Sequence, residues 1–322
     1  MNPIFMKHIG KTLDRVKDYS IINCTQCGFA HIDPVPTQAE LDKVYRDEYY
    51  TEEKPLYIER TVEDIESWNT VYDDRYDFFE EHLAKNRRNI LDIGCGSGFF
   101  LKRGKERGWK CFGVEPSKQA AKYAKSLGLD IENVFLNEMD FGKKRFDVIH
   151  LSEVLEHIPD PINLCKKAYS LLDDKGIICV VVPNDYNPFQ KVLREKLGFK
   201  PYWLAPPHHI NYFDYDSLEN LLKKAGFKII ERAAMFPIDM FLLMGDNYVG
   251  NDKLGRECHA KRKRLDIMLN EPILNDFKKD MYKTMARHNI GREMIIYGER
   301  GEENNGKSET FMPQRDTKGI FR

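Results

Sequence analysis

Gly94, Gly96 and Gly98 stand at alternate positions in the segment NILDIGCGSGFF, directly after a short apolar run. Such a turn lets a ligand approach bare main chain, and a helix that follows offers free N–H groups to an anion. A phosphate-binding P-loop would need a Lys-Ser or Lys-Thr pair after the glycines, and the segment has none. A dinucleotide fingerprint would place its third glycine at Phe99. The spacing therefore disfavours two of the three ligand classes that use this device.

Acidic residues flank the turn on both sides. Asp92 precedes Gly94 by two residues, and Glu115 ends the next apolar run in FGVEPS. The segment DIGCGSG resembles the first motif, D/E-x-G-x-G-x-G, of the class I S-adenosylmethionine-dependent methyltransferases. The later segments FDVIHLSEVLEHIPDP and GIICVVVPN resemble the next landmarks of that family in the same order. The resemblance covers roughly residues 20–300 and is nearest to small-molecule enzymes of the ubiquinone-biosynthesis and the sugar or polysaccharide-cluster type.

The resemblance implies S-adenosylmethionine as the cofactor and assigns residues to it. Glu115 would hold the ribose by accepting from both hydroxyls, a bidentate arrangement that neutral side chains cannot match. The main chain of the glycine turn would cradle the methionine and ribose end, and Asp92 would order that loop or reach the ammonium group. Pro116 would lie at the adenine edge, with Ser152 and Glu153 near the methionyl group and the acceptor. The expected cofactor set is Asp92, Gly94, Cys95, Gly96, Gly98, Glu115, Pro116, Ser152 and Glu153.

Three histidines are candidate catalytic residues. His157 lies in EVLEHIPDP, where its imidazole could take a proton from a hydroxyl or an amine, although a positioning role is favoured. His208 and His209 follow a stiff Pro-Pro pair in LAPPHHINYF, between the fifth strand and the next long helix. This loop is expected to cover the strand ends where the acceptor lies. If the reaction uses a base, His208 or His209 is the expected one, with Tyr212 nearby.

A C-x-x-C pair, Cys24 and Cys27, lies near the N-terminus and is followed by His31. Structural zinc requires four ligands, and the sugar C-methyltransferases that the N-terminal pattern resembles carry a second cysteine pair upstream. No cysteine precedes Cys24 in this chain. The pair is therefore expected to be degenerate and no metal is predicted, since His8 or His31 would be needed to complete a site. The basic run HAKRKRLD at 259–266 favours a solvated helix face over a phosphate contact.

From about residue 85 the chain alternates apolar strands with amphipathic helices. The predicted strands cover 89–95, 110–116, 146–152, 176–184, 228–235 and 293–300, and the predicted helices cover 99–108, 118–128, 161–174 and 215–227. With the resemblance, this pattern predicts an α/β fold with a Rossmann-like, seven-stranded, mainly parallel sheet and helices on both faces. An N-terminal helical extension (1–80) would precede the methyltransferase domain (81–300). A helical insertion would cover about 236–290, and a polar tail 301–322.

The composition limits the partners. The 50 Lys and Arg residues balance 51 Asp and Glu, so no global field attracts nucleic acid or an anionic membrane. No signal peptide or membrane span is predicted, and seven scattered cysteines are typical of a reducing cytosol. We therefore expect a cytoplasmic enzyme that methylates O or N of a small polar metabolite, with sugar- or nucleotide-linked acceptors among the options and a homodimer left open. The alternatives are a non-catalytic S-adenosylmethionine-binding protein, a protein or RNA methyltransferase and, more distantly, a NAD enzyme.

Overall fold

The computed structural model describes residues 8–46 and 54–301, so the predicted tail beyond residue 301 lies outside the described part. The strands are β1 (Gly10–Val16), β2 (Tyr19–Cys24), β3 (Ala30–Asp33), β4 (Asn89–Ile93), β5 (Lys110–Val114), β6 (Asp130–Glu132), β7 (Phe146–Ser152), β8 (Leu172–Pro183), β9 (Asn211–Tyr212), β10 (Phe227–Ala234) and β11 (Glu293–Arg300). The helices are α1 (Gln38–Lys43), α2 (Tyr57–Glu63), α3 (Ile65–His82), α4 (Phe99–Glu106), α5 (Lys118–Ser126), α6 (Pro161–Leu171), α7 (Pro188–Leu197), α8 (Tyr215–Lys224), α9 (Asp239–Leu243), α10 (Asp252–Leu269) and α11 (Asn275–Arg287). Within the described residues, each helix falls short of the length and apolar content that a bilayer crossing requires.

The central sheet has seven strands in the order β10-β11-β8-β7-β4-β5-β6. The pairs from β8 to β6 are parallel, and β11 runs antiparallel to both of its neighbours. The predicted α/β fold with a seven-stranded, mainly parallel sheet is therefore confirmed. The strand order reverses at β4, with β5 on one side and β7 on the other, and ligands of such sheets bind where the carboxyl ends diverge.

Helices cover both faces of this sheet because its strands are buried on both sides. Leu91 and Ile93 of β4 belong to the core that includes α6 and α8, whereas Ile90 belongs to the core that includes α3 and α4. This division follows from the alternation of side chains along a strand. Each fully buried Leu or Ile contributes roughly 1.5–3 kcal/mol relative to an exposed one. The two cores thus hold the carboxyl ends of β4, β5 and β7 at fixed positions.

A second, smaller sheet has the order β1-β2-β3-β9 and corrects the expectation of a helical N-terminal extension. Helices occur at α1 to α3, but three antiparallel strands precede them. The two residues of β9 pair with β3, so Ala30 lies opposite Tyr212 and His31 opposite Asn211. Sequence patterning missed these strands because β1, GKTLDRV, has no buried position and so shows no apolar alternation.

The last helix of the extension, α3, runs across the boundary predicted between residues 80 and 81. Its buried side chains, such as Tyr76 and Phe79, pack into the central core. The predicted insertion corresponds to α9, α10 and α11, between β10 and β11. Part of the basic run on α10 binds this insertion to the start of α3, because His259 Nε2 lies 2.8 Å from Asp64 Oδ2 and Lys263 also pairs with Asp64.

Candidate functional site

The glycine turn connects β4 directly to α4 and has no side chain at three of its five positions. Gly94, Gly96 and Gly98 have φ values of +70°, +53° and +80°, a region that glycine adopts without steric cost. A Cβ atom on Gly98 would lie 2.6 Å from Leu129 Cδ1, and one on Gly94 would lie 2.7 Å from Val154 Cγ2. Both the backbone conformation and the space therefore require glycine. The result is a main-chain cradle at the N-terminus of α4.

Glu115 follows β5 and joins the cradle to the next helix. Its Oε2 accepts a hydrogen bond from the Gly96 N–H at 2.8 Å, and its Oε1 accepts one from the Ser117 N–H at 2.8 Å. The residue is 5% exposed, and burial raises its pKa to about 7, although the two N–H donors act in the opposite direction. Each carboxylate oxygen has a second lone pair, so it can accept a further hydrogen bond.

Asn133 lies at the carboxyl edge of the central sheet and was not among the predicted site residues. It follows β6, and its Nδ2 donates to the carbonyl oxygens of Glu115 at 2.8 Å and Pro116 at 2.9 Å. These bonds fix the main chain of the segment expected at the adenine edge. Its position just beyond the carboxyl end of a parallel strand is the signal that could have identified it.

Behind the cradle, Asp92 belongs to a buried chain of polar side chains. His150 Nδ1 donates to Asp92 Oδ1 at 2.7 Å, and Arg75 Nη1 donates to His150 Nε2 at 3.0 Å. A carboxylate only accepts and a guanidinium only donates, so the ring between them is neutral with its hydrogen on Nδ1. Burial lowers the pKa of His150, which agrees with a neutral ring. This chain connects β4, β7 and α3.

Three more residues expected at the cofactor lie around the turn. The Cys95 thiol is buried among apolar side chains, so this residue offers a ligand only main-chain atoms. Ser152 is the last residue of β7. Glu153 has a φ of +56° and an exposed side chain. Desolvation, followed by the charge of Glu293, raises the pKa of Glu153.

The predicted histidines meet beyond the carboxyl end of β7. His157 Nδ1 donates to the main-chain oxygen of His208 at 2.7 Å, which leaves a lone pair on Nε2. The rings of His157 and His209 are nearly perpendicular, with their centroids 4.9 Å apart. Thus His157 and His209 contact each other through their rings, and His208 contributes its carbonyl group. Glu156, whose Oε1 lies 3.6 Å from His157 Nε2, was not among the predicted site residues.

Burial controls the charge of this histidine cluster. Glu156 is 1% exposed, and neither of its carboxyl oxygens has a hydrogen-bond partner among the described residues. Burial, and then the charge of Glu153, raise the pKa of Glu156 well above its usual range. Burial lowers the pKa of His157 to about 4 and that of His209 to about 3. The ligand atoms of Glu156, His157 and His209 lie within 4.8 Å of one another and could hold a cation. A second group of side chains whose ligand atoms could hold a cation lies at the small sheet and consists of His8, Cys24, Cys27 and His31.

A groove of about 810 Å³ lies between the small sheet and helices α7 and α8. Its aromatic lining includes Tyr186 and Trp203, and its charged lining has both signs: Lys11, Lys191, Arg194, Asp185, Glu195, Asp214 and Asp216. The groove can therefore accept a molecule that has both a flat apolar part and a hydroxyl-rich or otherwise polar part.

Comparison with known proteins gives one family. A family model described as a methyltransferase domain matches residues 65–232. The ubiquinone biosynthesis O-methyltransferase of Actinobacillus pleuropneumoniae is 31% identical over 102 residues, which are 28% of this chain and 44% of that protein. The enzyme of the same name from Alkalilimnicola ehrlichii is 36% identical over 96 residues, which are 28% of this chain and 39% of that protein. The chain thus spans less than half the length of these curated relatives.

Among solved structures, a chain from the complex of the Haloferax volcanii Trm112 methyltransferase activator aligns with a TM-score of 0.50 at 13% identity. The alignment covers 83% of this chain and 100% of that chain. At this identity the similarity concerns the fold alone, and it agrees with the sheet described above.

Proposed function

The chain belongs to the family of methyltransferase domains, and from that premise we propose that it transfers a methyl group from S-adenosylmethionine to a small polar acceptor. The observation that carries this proposal is the bare glycine turn at the end of β4, placed beside the buried carboxylate of Glu115. The curated relatives are named O-methyltransferases. Their names favour an oxygen acceptor, with nitrogen as the alternative.

The residues at the turn fit the proposed cofactor. A Cβ on Gly94 would collide with Val154 and one on Gly98 with Leu129, so either substitution would displace the cradle. Glu115 has lone pairs left for two ribose hydroxyls. We assign the main chain of 94–98 to the methionine and ribose end and Pro116 to the adenine edge. Ser152 and Glu153 are assigned to the region of the methionyl group and the acceptor. When bound, S-adenosylmethionine supplies an electrophilic methyl group on a sulfonium sulfur.

Asp92 has a supporting role in this proposal, because its Oδ1 already accepts from His150. Through that bond it fixes the end of β4, and with it the start of the turn. The Cys95 side chain stabilises the same turn by packing into the core. The chemistry of an in-line displacement requires mainly alignment and exclusion of water, which a rigid turn serves.

The acceptor's proton is assigned to the histidine cluster. A neutral, buried imidazole is a weak base by itself, as the low pKa of His209 indicates. An ionised Glu156 raises the pKa of the neighbouring imidazoles, because an opposite charge favours the protonated ring. We therefore assign His209 as the general base, His157 as its positioning partner and Glu156 as the group that tunes both.

The acceptor is proposed to be a small molecule. The groove beside α7 and α8 offers aromatic side chains and charged side chains of both signs, which suit a polar metabolite with a flat part. An RNA acceptor would require a basic surface beside the site, whereas His259 and Lys263 of the basic run pair with Asp64.

The experiment that tests the proposed function measures S-adenosylhomocysteine formation with a panel of small hydroxyl and amine acceptors. Acceptor-dependent turnover supports a methyltransferase of small molecules. Binding of S-adenosylmethionine without turnover on any acceptor would support the non-catalytic alternative, and failure to bind it would contradict the proposal.

We predict that Glu115→Gln lowers the affinity for S-adenosylmethionine about 10- to 100-fold, the effect of one charge-assisted hydrogen bond. For the unmodified protein, affinity should rise between about pH 6 and about pH 8. The pKa of Glu115 is raised to about 7, so its carboxylate is protonated below that pH and ionised above it. Calorimetric titration across this range measures both effects.

Glu132→Gln is the matched control, because Glu132 is an exposed carboxylate at the end of the adjacent strand β6. It should leave the affinity and its pH dependence unchanged. If the pH dependence of donor affinity were unaltered in Glu115→Gln, a group other than Glu115 would be responsible for that dependence.

We predict that His209→Ala reduces kcat about 100-fold or more, the usual contribution of a general base, while the affinity for the methyl donor is retained. His157→Ala should also lower kcat, because it removes the ring that packs against His209. His208→Ala is the internal control. It keeps the main-chain oxygen that His157 contacts, so kcat should stay within about 10-fold of the unmodified protein. Equal losses in His208→Ala and His209→Ala would reject the assignment.

A further inference from the structure

The C-x-x-C pair of the small sheet does not stand alone in the structure. Cys24 Sγ lies 3.6 Å and Cys27 Sγ 3.4 Å from Nδ1 of His8. One ligand atom from each of these three residues and from His31 lies within 4.8 Å of all the others. In a tetrahedral zinc site with Zn–S of about 2.3 Å and Zn–N of about 2.0 Å, a sulfur and a nitrogen are about 3.5 Å apart. The two measured separations match this value.

The ring of His31 has the orientation that a ligand needs. Its Nδ1 lies 2.8 Å from the carbonyl oxygen of Ile32, which only accepts, so the hydrogen is on Nδ1 and the lone pair is on Nε2. His31 is 1% exposed, and its Nε2 has no hydrogen-bond partner among the described residues. An unpaired, buried imidazole nitrogen is costly. The carbonyl contact at the other nitrogen is the one that usually fixes a metal-binding histidine.

The main chain holds the other ligands by local bonds. Cys24 ends β2 and Cys27 lies in the turn that follows, where the Gly28 N–H donates to the Cys24 carbonyl oxygen at 2.9 Å. Gly28 has a φ of +82°, which allows this tight turn. The Thr25 N–H donates to the carbonyl oxygen of Ile9 at 2.9 Å, and this bond places the neighbouring His8 over the turn.

We propose that His8, Cys24, Cys27 and His31 form a four-ligand structural zinc site. Four protein ligands close the coordination sphere, which is typical of structural rather than catalytic zinc. Two thiolates and two imidazoles with tetrahedral spacing suit zinc better than Mg²⁺ or Ca²⁺, which prefer oxygen. A degenerate pair was predicted because no cysteine precedes Cys24 and one histidine alone would leave the site incomplete; in the structure both His8 and His31 lie beside the pair.

This site stabilises the sheet that borders the histidine loop. His31 lies on β3 opposite Asn211 of β9, and the Ile32 N–H donates to the carbonyl oxygen of Ile210, the residue after His209. A bound metal therefore fixes β3, and β3 in turn fixes the end of the segment with His208 and His209. The role is structural and does not depend on the proposed methyl transfer.

The first test is the metal content of the full chain, produced with added zinc and then desalted. One zinc per chain is expected by elemental analysis. Substitution by Co²⁺ should give the thiolate-to-cobalt charge-transfer band, which the histidine cluster with Glu156 cannot give because it has no sulfur. The proposal would be contradicted if the purified chain contained no metal. It would also be contradicted if Cys24 and Cys27 formed a disulfide in protein prepared with added zinc under reducing conditions.

The second test uses variants. Cys27→Ser and His31→Gln should each lower zinc affinity at least about 100-fold, since even a residue that only orients a ligand is worth about 10- to 100-fold. Cys111→Ser and His288→Gln are the controls, a half-buried cysteine and an exposed histidine in other elements, and they should keep one zinc. Full zinc content and an unchanged cobalt band in Cys27→Ser would overturn the assignment.

A third measurement keeps the proposal testable if a variant fails to fold. Chelation of the unmodified chain should speed amide hydrogen exchange in residues 30–33 and 210–212, and added zinc should restore the protection. Exchange in β4 and β7 should not change, because these strands belong to the central sheet. Equal exchange with and without zinc in residues 30–33 would show that the metal does not stabilise the small sheet.

Discussion

Gly98→Val is expected to lower the affinity for S-adenosylmethionine by about 100-fold or more, which corresponds to about 2.8 kcal/mol at 1.4 kcal/mol per tenfold change. Gly98 has a φ of +80°, which a β-branched residue adopts only under strain. A Cβ there would also lie 2.6 Å from Leu129 Cδ1 and 2.9 Å from Ala124 Cβ. The turn must shift to relieve both contacts, and its N–H groups shift with it. Calorimetric titration of the donor measures the loss.

The control for this change is Gly108→Val. Gly108 has a nearly identical φ of +84°, but a Cβ at this exposed position meets no atom within 4 Å. It therefore introduces the same backbone strain without a collision at the turn, and donor affinity should be kept. If both variants bound the donor as well as the unmodified protein does, the glycine turn would not be the donor site.

Arg75→Leu is expected to lower the free energy of unfolding by about 3–5 kcal/mol, the usual effect of removing one partner of a buried charge pair. Arg75 is 2% exposed and is the cation that compensates the buried Asp92 through the neutral ring of His150. Without it, the charge of the buried Asp92 carboxylate loses its compensating cation. Denaturant titration of the two proteins measures the difference.

Two further variants separate charge compensation from packing. Arg46→Leu removes a partly exposed arginine from its pair with Glu138 and should cost less than about 1 kcal/mol. The double variant Arg75→Leu with Asp92→Asn removes both buried charges and should recover part of the stability. If the double variant were no more stable than Arg75→Leu alone, the loss would come from packing rather than from an uncompensated charge.

The central fold could be predicted because parallel strands buried on both faces appear as apolar runs. The predicted strands at 146–152 and 293–300 agree with β7 and β11 to the residue. The positions of the glycine turn and of Glu115 could be predicted equally well, because each directly follows a strand and the apolar runs define where those strands end. Their closeness across the sheet, with Glu115 bonded to Gly96, follows from β4 and β5 being adjacent.

The features that could not be predicted depend on contacts between distant parts of the chain. The polar chain behind the turn joins Arg75 of α3 to His150 of β7. Arg75 lies outside the quoted motifs, and His150 lies within FDVIHLSEVLEHIPDP but had no predicted role. The only sequence feature that indicated a buried polar contact was a histidine within the apolar run FDVIHLS. Similarly, the approach of His8 to Cys27 depends on the pairing of β1 with β2, whose polar residues show no alternation.

The segment after the two prolines is attached to two neighbouring parts of the chain, residues 155–158 and β3. The Ile210 N–H donates to the carbonyl oxygen of Glu156, the Ile32 N–H donates to the carbonyl oxygen of Ile210, and Asn211 Nδ2 donates to the carbonyl oxygens of Leu155 and Ile158. A segment held in this way is fixed rather than hinged, so in the proposed function it would form a wall and the acceptor would meet a preformed shape. Discrimination between acceptors then rests on fit rather than on closure. A broader acceptor range would follow from replacing side chains of the wall, and loosening the wall would lower activity towards every acceptor.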